Sequence, residues 1–163
     1  MDIPVGMKNP TSGDLGVMLN AVYAAQHGHD FIYRTWEVET KGNPLAHTIL
    51  RGAVSKHGQC LPNYHYEDLM LLHELYAKRD LVNPACIVDA NHSNSNKQYM
   101  EQIRIVKEVM HSRKLNKDIH SLVKRRYGGK LYRRRLPESR RRCLWQIHYR
   151  SLSVLGGLGT ADL

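Results

Sequence analysis

Two patterns of apolar residues, one typical of helices and one typical of strands, alternate along the first 123 residues of the chain. Apolar residues that recur every three or four positions predict amphipathic helices, and these segments are 15–26, 67–79 and 97–112. Asp14 is well placed to cap the first of them. Short apolar, β-branched or aromatic runs predict strands, and these lie at 3–8, 31–36, 47–52 and 85–89. Because strand and helix alternate, we expect an α/β fold with a parallel sheet and helices outside it.

The positive charge is concentrated at the end of the chain. The 163 residues contain 24 Lys and Arg against 15 Asp and Glu, for a formal net charge of +9. Residues 1–123 hold equal numbers of the two signs, and 124–163 contain only Glu138 and Asp162 as acids. Basic runs such as Arg133–Arg135 are typical of a nucleic-acid or membrane-surface arm, or of a solvated irregular end. We therefore divide the chain into a globular part, 1–123, and a basic irregular tail, 124–163.

Cysteine usage and hydropathy indicate the cellular compartment in which the protein is expected. Cys60, Cys86 and Cys143 are too widely spaced for a disulfide framework or a zinc knuckle, which favours a reducing compartment. The sequence has no apolar run of membrane-spanning length and no secretory signal pattern. We expect a soluble cytoplasmic protein with no membrane partner.

Three of the predicted strands end in polar side chains. Lys8 closes one strand, Arg51 closes another, and Asp89, followed by His92, closes a third. Proteins of the α/β class bind ligands at the carboxyl ends of their strands. Two cations suit a phosphorylated, carboxylated ligand, and a neutral imidazole suits a divalent metal. Each residue alone also fits a solvated or ion-paired side chain, so the spacing leaves both interpretations open.

The three strand-end segments together resemble a known family. Pro4–Asn9, His47–Gly52 and Asp89–Gln98 are similar, in order and spacing, to three successive motifs of the class I DAHP synthases, also called phospho-2-dehydro-3-deoxyheptonate aldolases. The resemblance extends to about Val123. It implies a (β/α)8 barrel that condenses phosphoenolpyruvate with erythrose 4-phosphate, the first step of the shikimate pathway to the aromatic amino acids.

The resemblance also implies roles for the strand-end residues. In that family the lysine matching Lys8 and the arginine matching Arg51 bind phosphoenolpyruvate. The histidine matching His92 lies at the same subsite and ligates an essential divalent metal ion. Such a site fixes the enol between anion clamps while the metal polarises the aldehyde that the enol carbon attacks. The family also implies a homo-oligomer.

Departures from the family limit what this chain is expected to do alone. The resemblance covers about three of eight βα units, so we expect a partial (β/α)8 barrel. The family's N-terminal half, with its metal-binding cysteine, has no counterpart here, and Cys60 and Cys86 lie outside the corresponding motif. Two carboxylate metal ligands expected after residue 123 are also missing. We therefore expect little or no turnover from this chain by itself.

A one-base shift in reading frame accounts for the tail. Tyr127–Arg133, written as TAT GGT GGA AAG CTA TAT AGA, becomes Met-Val-Glu-Ser-Tyr-Ile when moved forward one base, and Ile147–Leu152 similarly gives Ser-Ile-Thr-Asp-Pro. Both strings match motifs that the family has at these separations. We hypothesise that residues from about Lys124 onward are the out-of-frame translation of a DAHP synthase C-terminus.

Two alternatives stay open at this point. One is a basic nucleic-acid-binding protein that uses the arginine-rich tail and keeps 1–123 only as a scaffold. The other is a metal-dependent lyase or aldolase of a different pathway, which would keep Lys8, Arg51 and His92 and act on another substrate. The order of the three motifs disfavours the second alternative.

Overall fold

The architecture is that of a computed structural model that describes residues 3–79 and 81–128, with the backbone alone for 125–128. The tail beyond residue 128, including Cys143, lies outside the described residues. The secondary-structure elements follow in this order: β1 (Gly6–Lys8), α1 (Leu15–Gln26), β2 (Asp30–Tyr33), β3 (Trp36–Glu39), β4 (His47–Leu50), β5 (Ala53–Val54), β6 (Cys60–Leu61), α2 (Tyr66–Lys78), β7 (Cys86–Asp89), a short 3-10 helix (His92–Asn94), α3 (Glu101–Leu115), α4 (Lys117–Leu122) and β8 (Val123–Gly128).

Four of the strands form one parallel sheet, which confirms the expected α/β fold. Its order is β1-β4-β7-β8, and Met7 lies opposite Thr48 while Ile49 lies opposite Ile87. Each strand is next to the strand that precedes it in the sheet along the chain, with no reversal of direction or order among the described strands. As a result the carboxyl ends of β1, β4 and β7 meet at one edge.

The hydrophobic core lies between this sheet and its helices. Asp14 starts α1 as expected, because its side chain accepts a hydrogen bond from the backbone N–H of Val17 at 3.1 Å. Buried apolar residues of α1, α2, α3 and α4 form one core cluster with Leu50 of β4, Val88 of β7 and Val123 of β8. The largest fully buried hydrophobic side chains are Tyr64, Met18, Leu19, Leu50, Leu69, Leu72, Ile105, Ile119, Leu122, Val22, Val88 and Val109.

A small polar cluster is enclosed in this core near the amino ends of β4 and β7. The Tyr76 hydroxyl and the Thr48 hydroxyl donate to the carbonyl oxygen of Ala85 at 3.0 and 3.2 Å. Cys86, beside them, is fully buried. Burial raises the pKa of the Cys86 thiol to about 12 and that of the Tyr76 phenol to about 12. Both groups are therefore neutral, structural members of the core.

The segment predicted as one strand at 31–36 is a hairpin, so that prediction was wrong. β2 and β3 pair antiparallel, with Tyr33 opposite Trp36. Arg34 and Thr35 form the turn with φ of 48° and 72°. Two-residue hairpin turns of this kind favour glycine or asparagine, and the absence of either hid the turn in the sequence.

The helix predicted at 97–112 starts later and is followed by a second helix. Asn96 and Lys97 have left-handed φ values of 50° and 58°, which an α-helix does not allow, so α3 begins only at Glu101. The extra helix α4 starts where the Asn116 side chain accepts from the N–H of Asp118 at 2.7 Å. The apolar residues of α4 are too few for a periodic pattern to be recognised.

The basic segment also begins differently from the prediction of an irregular tail from residue 124. Val123–Gly128 forms β8, which pairs parallel with β7 and places Tyr127 opposite Val88. Strand pairing uses backbone groups, so a neighbouring strand edge can hold a segment whose side-chain pattern shows no strand period. Among the residues that the structure describes, every helix is too short or too polar to cross a membrane.

The buried thiol and phenol make the stability of the fold depend on pH. In the folded chain Cys86 and Tyr76 ionise at about 12, whereas their ordinary values are 9.0 and 10.0. Unfolding therefore releases protons above pH 9, and stability that is present below pH 9 is lost as the pH rises towards 12. We expect the melting temperature, measured by circular dichroism, to decrease as the pH is raised from roughly 8.5 to 10.5, the range in which unperturbed thiols and phenols ionise.

Two variants separate the thiol from other alkaline effects. Cys86→Ala should show a shallower fall of melting temperature with pH than the parent chain, although its melting temperature at neutral pH is lower. Cys60→Ala, which removes a partly exposed thiol, should keep the parent slope. Equal slopes in all three proteins would contradict the assignment of this effect to Cys86.

Candidate active site at the carboxyl edge of the sheet

Lys8 and His92, which the sequence predicted for one site, meet at a shared carboxylate. Lys8 is the last residue of β1, Asp89 is the last residue of β7, and His92 follows Asp89 by three positions. The Asp89 Oδ2 atom accepts from Lys8 Nζ at 3.1 Å and pairs with His92 Nδ1 at 2.8 Å. The Asp89 side chain is only 6% exposed, whereas that of Lys8 is 42% exposed. The ammonium group therefore has donors left for a ligand from solution.

His92 reaches Asp89 through an unusual backbone conformation. Its φ is 49°, in the left-handed region that only a few per cent of non-glycine residues adopt, histidine, asparagine and aspartate more often than the others. This turn brings the imidazole back to the end of its own strand. Backbone strain of this kind persists only where surrounding contacts hold it, and it is concentrated at functional sites.

Arg51 lies at the same edge, directly after β4, which is the strand between β1 and β7. Its backbone N–H donates to the Asn9 side-chain oxygen at 2.9 Å. Among the residues that the structure describes, no hydrogen-bond or ion-pair partner occupies its guanidinium group. Arg51 therefore offers an unused planar donor fork at the end of the strand between β1, which ends at Lys8, and β7, which precedes His92.

Three asparagine side chains, Asn9, Asn63 and Asn94, join the ends of these strands, and we refer to them as the amide cluster. Asn63 donates to Asn9 Oδ1 at 3.3 Å, and Asn94 accepts from the Asn63 N–H at 2.9 Å. Asn94 also donates to the carbonyl oxygens of Asp89 at 2.8 Å and Leu50 at 3.3 Å. The cluster thus satisfies buried backbone groups of β4 and β7 while it fixes their spacing.

Gly52 lets the loop after β7 approach β4 closely. Its φ is 77°, and a Cβ placed on it would lie 2.7 Å from the backbone nitrogen of Asn94. Its own N–H donates to Asn63 Oδ1 at 2.7 Å. Glycine is therefore required here both by conformation and by space.

Sequence reasoning missed Asp89 as a bridge and missed the amide cluster. Asp89 was visible as a polar strand end, but no spacing rule shows that it bonds to a lysine 81 residues away. Asn9 and Asn94 stand immediately after strands, a position that is also common for ordinary turn residues. The three-dimensional arrangement was needed to separate these two cases.

The described residues do not make a metal centre by themselves. No group of three or more His, Cys, Asp or Glu side chains suited to a metal ion occurs in the described part of the chain. Asp89 Oδ2 is already shared by Lys8 and His92, Cys86 is buried in the core, and the Cys60 thiol donates to Asn96 Oδ1 at 3.3 Å. Among the described side chains discussed for this site, His92 Nε2 is left as a nitrogen that could ligate a metal, whereas divalent metals in proteins need several ligands.

Fold and strand ends together define an α/β protein with polar side chains gathered at the carboxyl edge of a parallel sheet. The chain belongs to the DAHP synthetase I family, whose model matches residues 1–123, so the resemblance seen in the sequence is confirmed. This is a family of enzymes.

Named relatives agree with that family. The chain is 38% identical over 107 residues to the Tyr-sensitive phospho-2-dehydro-3-deoxyheptonate aldolase of Enterobacter agglomerans, covering 63% of this chain and 47% of that protein. It is 34% identical over 114 residues to the phospho-2-dehydro-3-deoxyheptonate aldolase of Corynebacterium glutamicum, covering 67% and 29%. The chain thus spans less than half the length of these relatives.

A solved structure shows the same fold. The phospho-2-dehydro-3-deoxyheptonate aldolase from Francisella tularensis SCHU S4 superposes with a TM-score of 0.63 at 21% sequence identity, over 96% of this chain and 50% of that one. This likeness supports the α/β architecture and the parallel sheet.

Two glycines test how far the site depends on close approach of its loops. Gly52→Ala should destabilise the fold by about 2 kcal/mol more than Gly58→Ala in urea denaturation. Both positions have similar positive φ values, 77° and 80°, but nothing lies within 4 Å of a Cβ at Gly58. Gly58→Ala therefore measures the conformational effect alone, about 1 kcal/mol. Equal destabilisation by the two substitutions would show that the loop after β7 moves aside without loss.

Proposed function

We propose that this chain is the central part of a DAHP synthase, in which Lys8, Arg51 and His92 form the phosphoenolpyruvate subsite. The whole enzyme would condense phosphoenolpyruvate with erythrose 4-phosphate in the first step of the shikimate pathway. The observation that carries the proposal is the convergence of Lys8 and His92 on Asp89, with Arg51 at the end of the strand between them. Family membership and the names of the relatives support the choice of substrates.

The charges at the site suit a small substrate with two anionic groups. Lys8 and Arg51 supply two cations, and Asp89 supplies one carboxylate whose Oδ2 atom already has two partners. The guanidinium of Arg51 can hold a phosphate or carboxylate through two parallel hydrogen bonds, and the Lys8 ammonium can donate to a second oxygen. Holding both anionic groups of phosphoenolpyruvate would fix the plane of the enol for attack on an aldehyde.

The order of the strands supports a partial (β/α)8 barrel as the finer description of the fold. In such a barrel each strand lies beside the preceding one, whereas a doubly wound sheet reverses its order at a switch point. The described sheet keeps chain order throughout. We infer that β1, β4 and β7 with their helices are about three consecutive βα units and that β8 begins the next.

The chain on its own is proposed to lack turnover. Its described residues contribute one metal ligand, His92, so the divalent metal ion that the resemblance implies would need ligands from elsewhere. The relatives are also more than twice as long as the segment that matches this chain. The cytoplasmic location, expected from cysteine usage and hydropathy, and the homo-oligomer, implied by the family, stay predictions.

The division at residue 123 and the out-of-frame origin of the tail also stay proposals. Resequencing the DNA across codons 120–130 tests the out-of-frame origin. If a base is missing or added there, the corrected reading frame should encode an acidic family motif in place of the arginine runs. The nucleic-acid-binding alternative depends on 124–163, most of which lies outside the described residues.

Binding of phosphoenolpyruvate tests the assigned subsite directly. By isothermal titration calorimetry, Arg51→Ala and Lys8→Ala should each weaken binding by about tenfold or more, since each removes a charge-assisted hydrogen bond. Arg51→Lys should fall between parent and Arg51→Ala because it keeps the charge and loses the fork. Lys107→Ala removes an exposed cation from α3, away from the site, and should bind like the parent. If Lys107→Ala and Arg51→Ala weaken binding equally, general charge attraction explains the binding and the subsite is wrong.

Turnover is expected to be absent in the same preparation. Phosphate release from phosphoenolpyruvate and erythrose 4-phosphate, with Mn²⁺ added, should not exceed the rate of a control without protein. The physical reason is the incomplete ligand set around His92. Activity close to that of an intact synthase would show that this chain contains a complete active site.

A further inference from the structure

We propose that Asp89 is a positioning residue that holds Lys8 and His92 as one preorganised unit and fixes the tautomer of His92. This inference rests on the proposed function, because it concerns the same subsite. It adds a residue and a role that the site assignment does not contain. It is argued from the bonds of the carboxylate, from the backbone around it and from comparison with another pair in the same chain.

The first argument is that both oxygens of Asp89 are committed. Oδ2 bonds to Lys8 Nζ and His92 Nδ1, and Oδ1 accepts from the backbone N–H of Asn91 at 3.0 Å. The Asp89 backbone carbonyl is in turn held by Asn94 Nδ2 at 2.8 Å. A buried carboxylate bonded through both oxygens cannot rotate without breaking several hydrogen bonds at once. It therefore fixes the direction of the two side chains bound to it.

The second argument concerns the protons of the imidazole. An ionised carboxylate only accepts hydrogen bonds, so a hydrogen bond between it and Nδ1, which lies 2.8 Å from Oδ2, requires the proton on Nδ1. In the neutral ring Nε2 then has a free lone pair. Second-shell carboxylates set the tautomer and ring orientation of functional histidines in this way. Without Asp89 the neutral ring would be free to place its proton on either nitrogen.

The third argument is the local backbone. The left-handed φ of 49° at His92 and the three-residue separation from Asp89 together return the ring to the end of β7. Such strain needs compensation from neighbouring contacts. His92 is the first residue of the 3-10 helix, and its bond to Asp89 at 2.8 Å is a contact that holds this conformation. The conformation is thus coupled to the carboxylate.

Another carboxylate–imidazole pair in the chain shows what an ordinary pair looks like. His65 Nδ1 lies 2.5 Å from Glu108 Oε1, with side chains 42% and 33% exposed. Glu108 also pairs with Arg104 at 3.0 Å on the outer face of α3. That pair is open to solvent and bonds to no strand-end residue. Asp89 differs because it is buried and because one oxygen serves both predicted ligand-binding side chains.

A positioning role and a purely electrostatic role of Asp89 predict opposite changes in anion affinity when its charge is removed. Removing the negative charge of Asp89, which contacts Lys8, would by itself strengthen binding of an anion at this edge. Losing the fixed geometry of Lys8 and His92 would weaken it. The sign of the change in affinity after an isosteric neutral substitution therefore distinguishes the two roles.

The experiment compares the full-length parent chain with Asp89→Asn and with Glu108→Gln as the matched control. Nitrogen-15 NMR of the ring reports the His92 tautomer, with the signals assigned by their loss in His92→Gln. In the parent, neutral His92 should carry its proton on Nδ1. Asp89→Asn should lose this preference and bind phosphoenolpyruvate about tenfold more weakly by calorimetry. Glu108→Gln should change neither property.

Several results would overturn the proposal. The first is a parent chain in which neutral His92 carries its proton on Nε2. This result needs no variant, so the proposal can be tested even if Asp89→Asn does not fold. An unchanged tautomer in a folded Asp89→Asn, or equal or tighter binding of phosphoenolpyruvate, would also overturn it. Lys8→Ala leaves the Asp89 carboxylate in place and should keep the parent tautomer. If the parent shows the expected tautomer and does not bind phosphoenolpyruvate, the proposed function fails while the positioning of His92 by Asp89 is supported.

Discussion

The arrangement of the site depends on one buried carboxylate and the amide cluster beneath it. Parallel strands end with unpaired backbone groups, and burial of such groups without partners is unfavourable. Asn9, Asn63 and Asn94 satisfy these groups at the ends of β4 and β7. Asp89 then joins the first strand to the third through Lys8. The same hydrogen bonds that complete the fold therefore hold the polar side chains in place.

The sequence predicted the parts of the molecule that follow simple periodic rules. α1 begins at its expected cap, Asp14, and the strand ends at Lys8, Arg51 and Asp89 meet at one edge because parallel strands all point the same way. The β2–β3 hairpin escaped prediction because its turn lacks glycine and asparagine. β8 escaped it because an existing strand edge can pair with a segment that has no strand pattern. Hydrogen bonds between distant residues, such as those of Asp89, have no signature in local spacing.

The match to known proteins identifies the family of the chain, whereas the chemistry of the described residues determines which steps of the family's reaction they could support. Family membership is carried by residues 1–123, which include all three residues of the proposed phosphoenolpyruvate subsite. Among the described residues of this segment no group of three or more side chains suited to a metal ion occurs, since Cys86 belongs to the core and Cys60 bonds to Asn96. The proposed function therefore assigns substrate binding to this chain and leaves turnover to residues outside its described part.

The long reach of the contact between Lys8 and Asp89 has a consequence for folding. These residues are 81 positions apart, and pairings across such separations form late because much chain must be ordered first. A partly collapsed chain with only one helix and one neighbouring strand pair would have no complete anion-binding edge. An anion would therefore bind at this edge only in chains whose first and third strands, β1 and β7, have already come together. Its binding energy would then favour complete folding over every partially assembled intermediate.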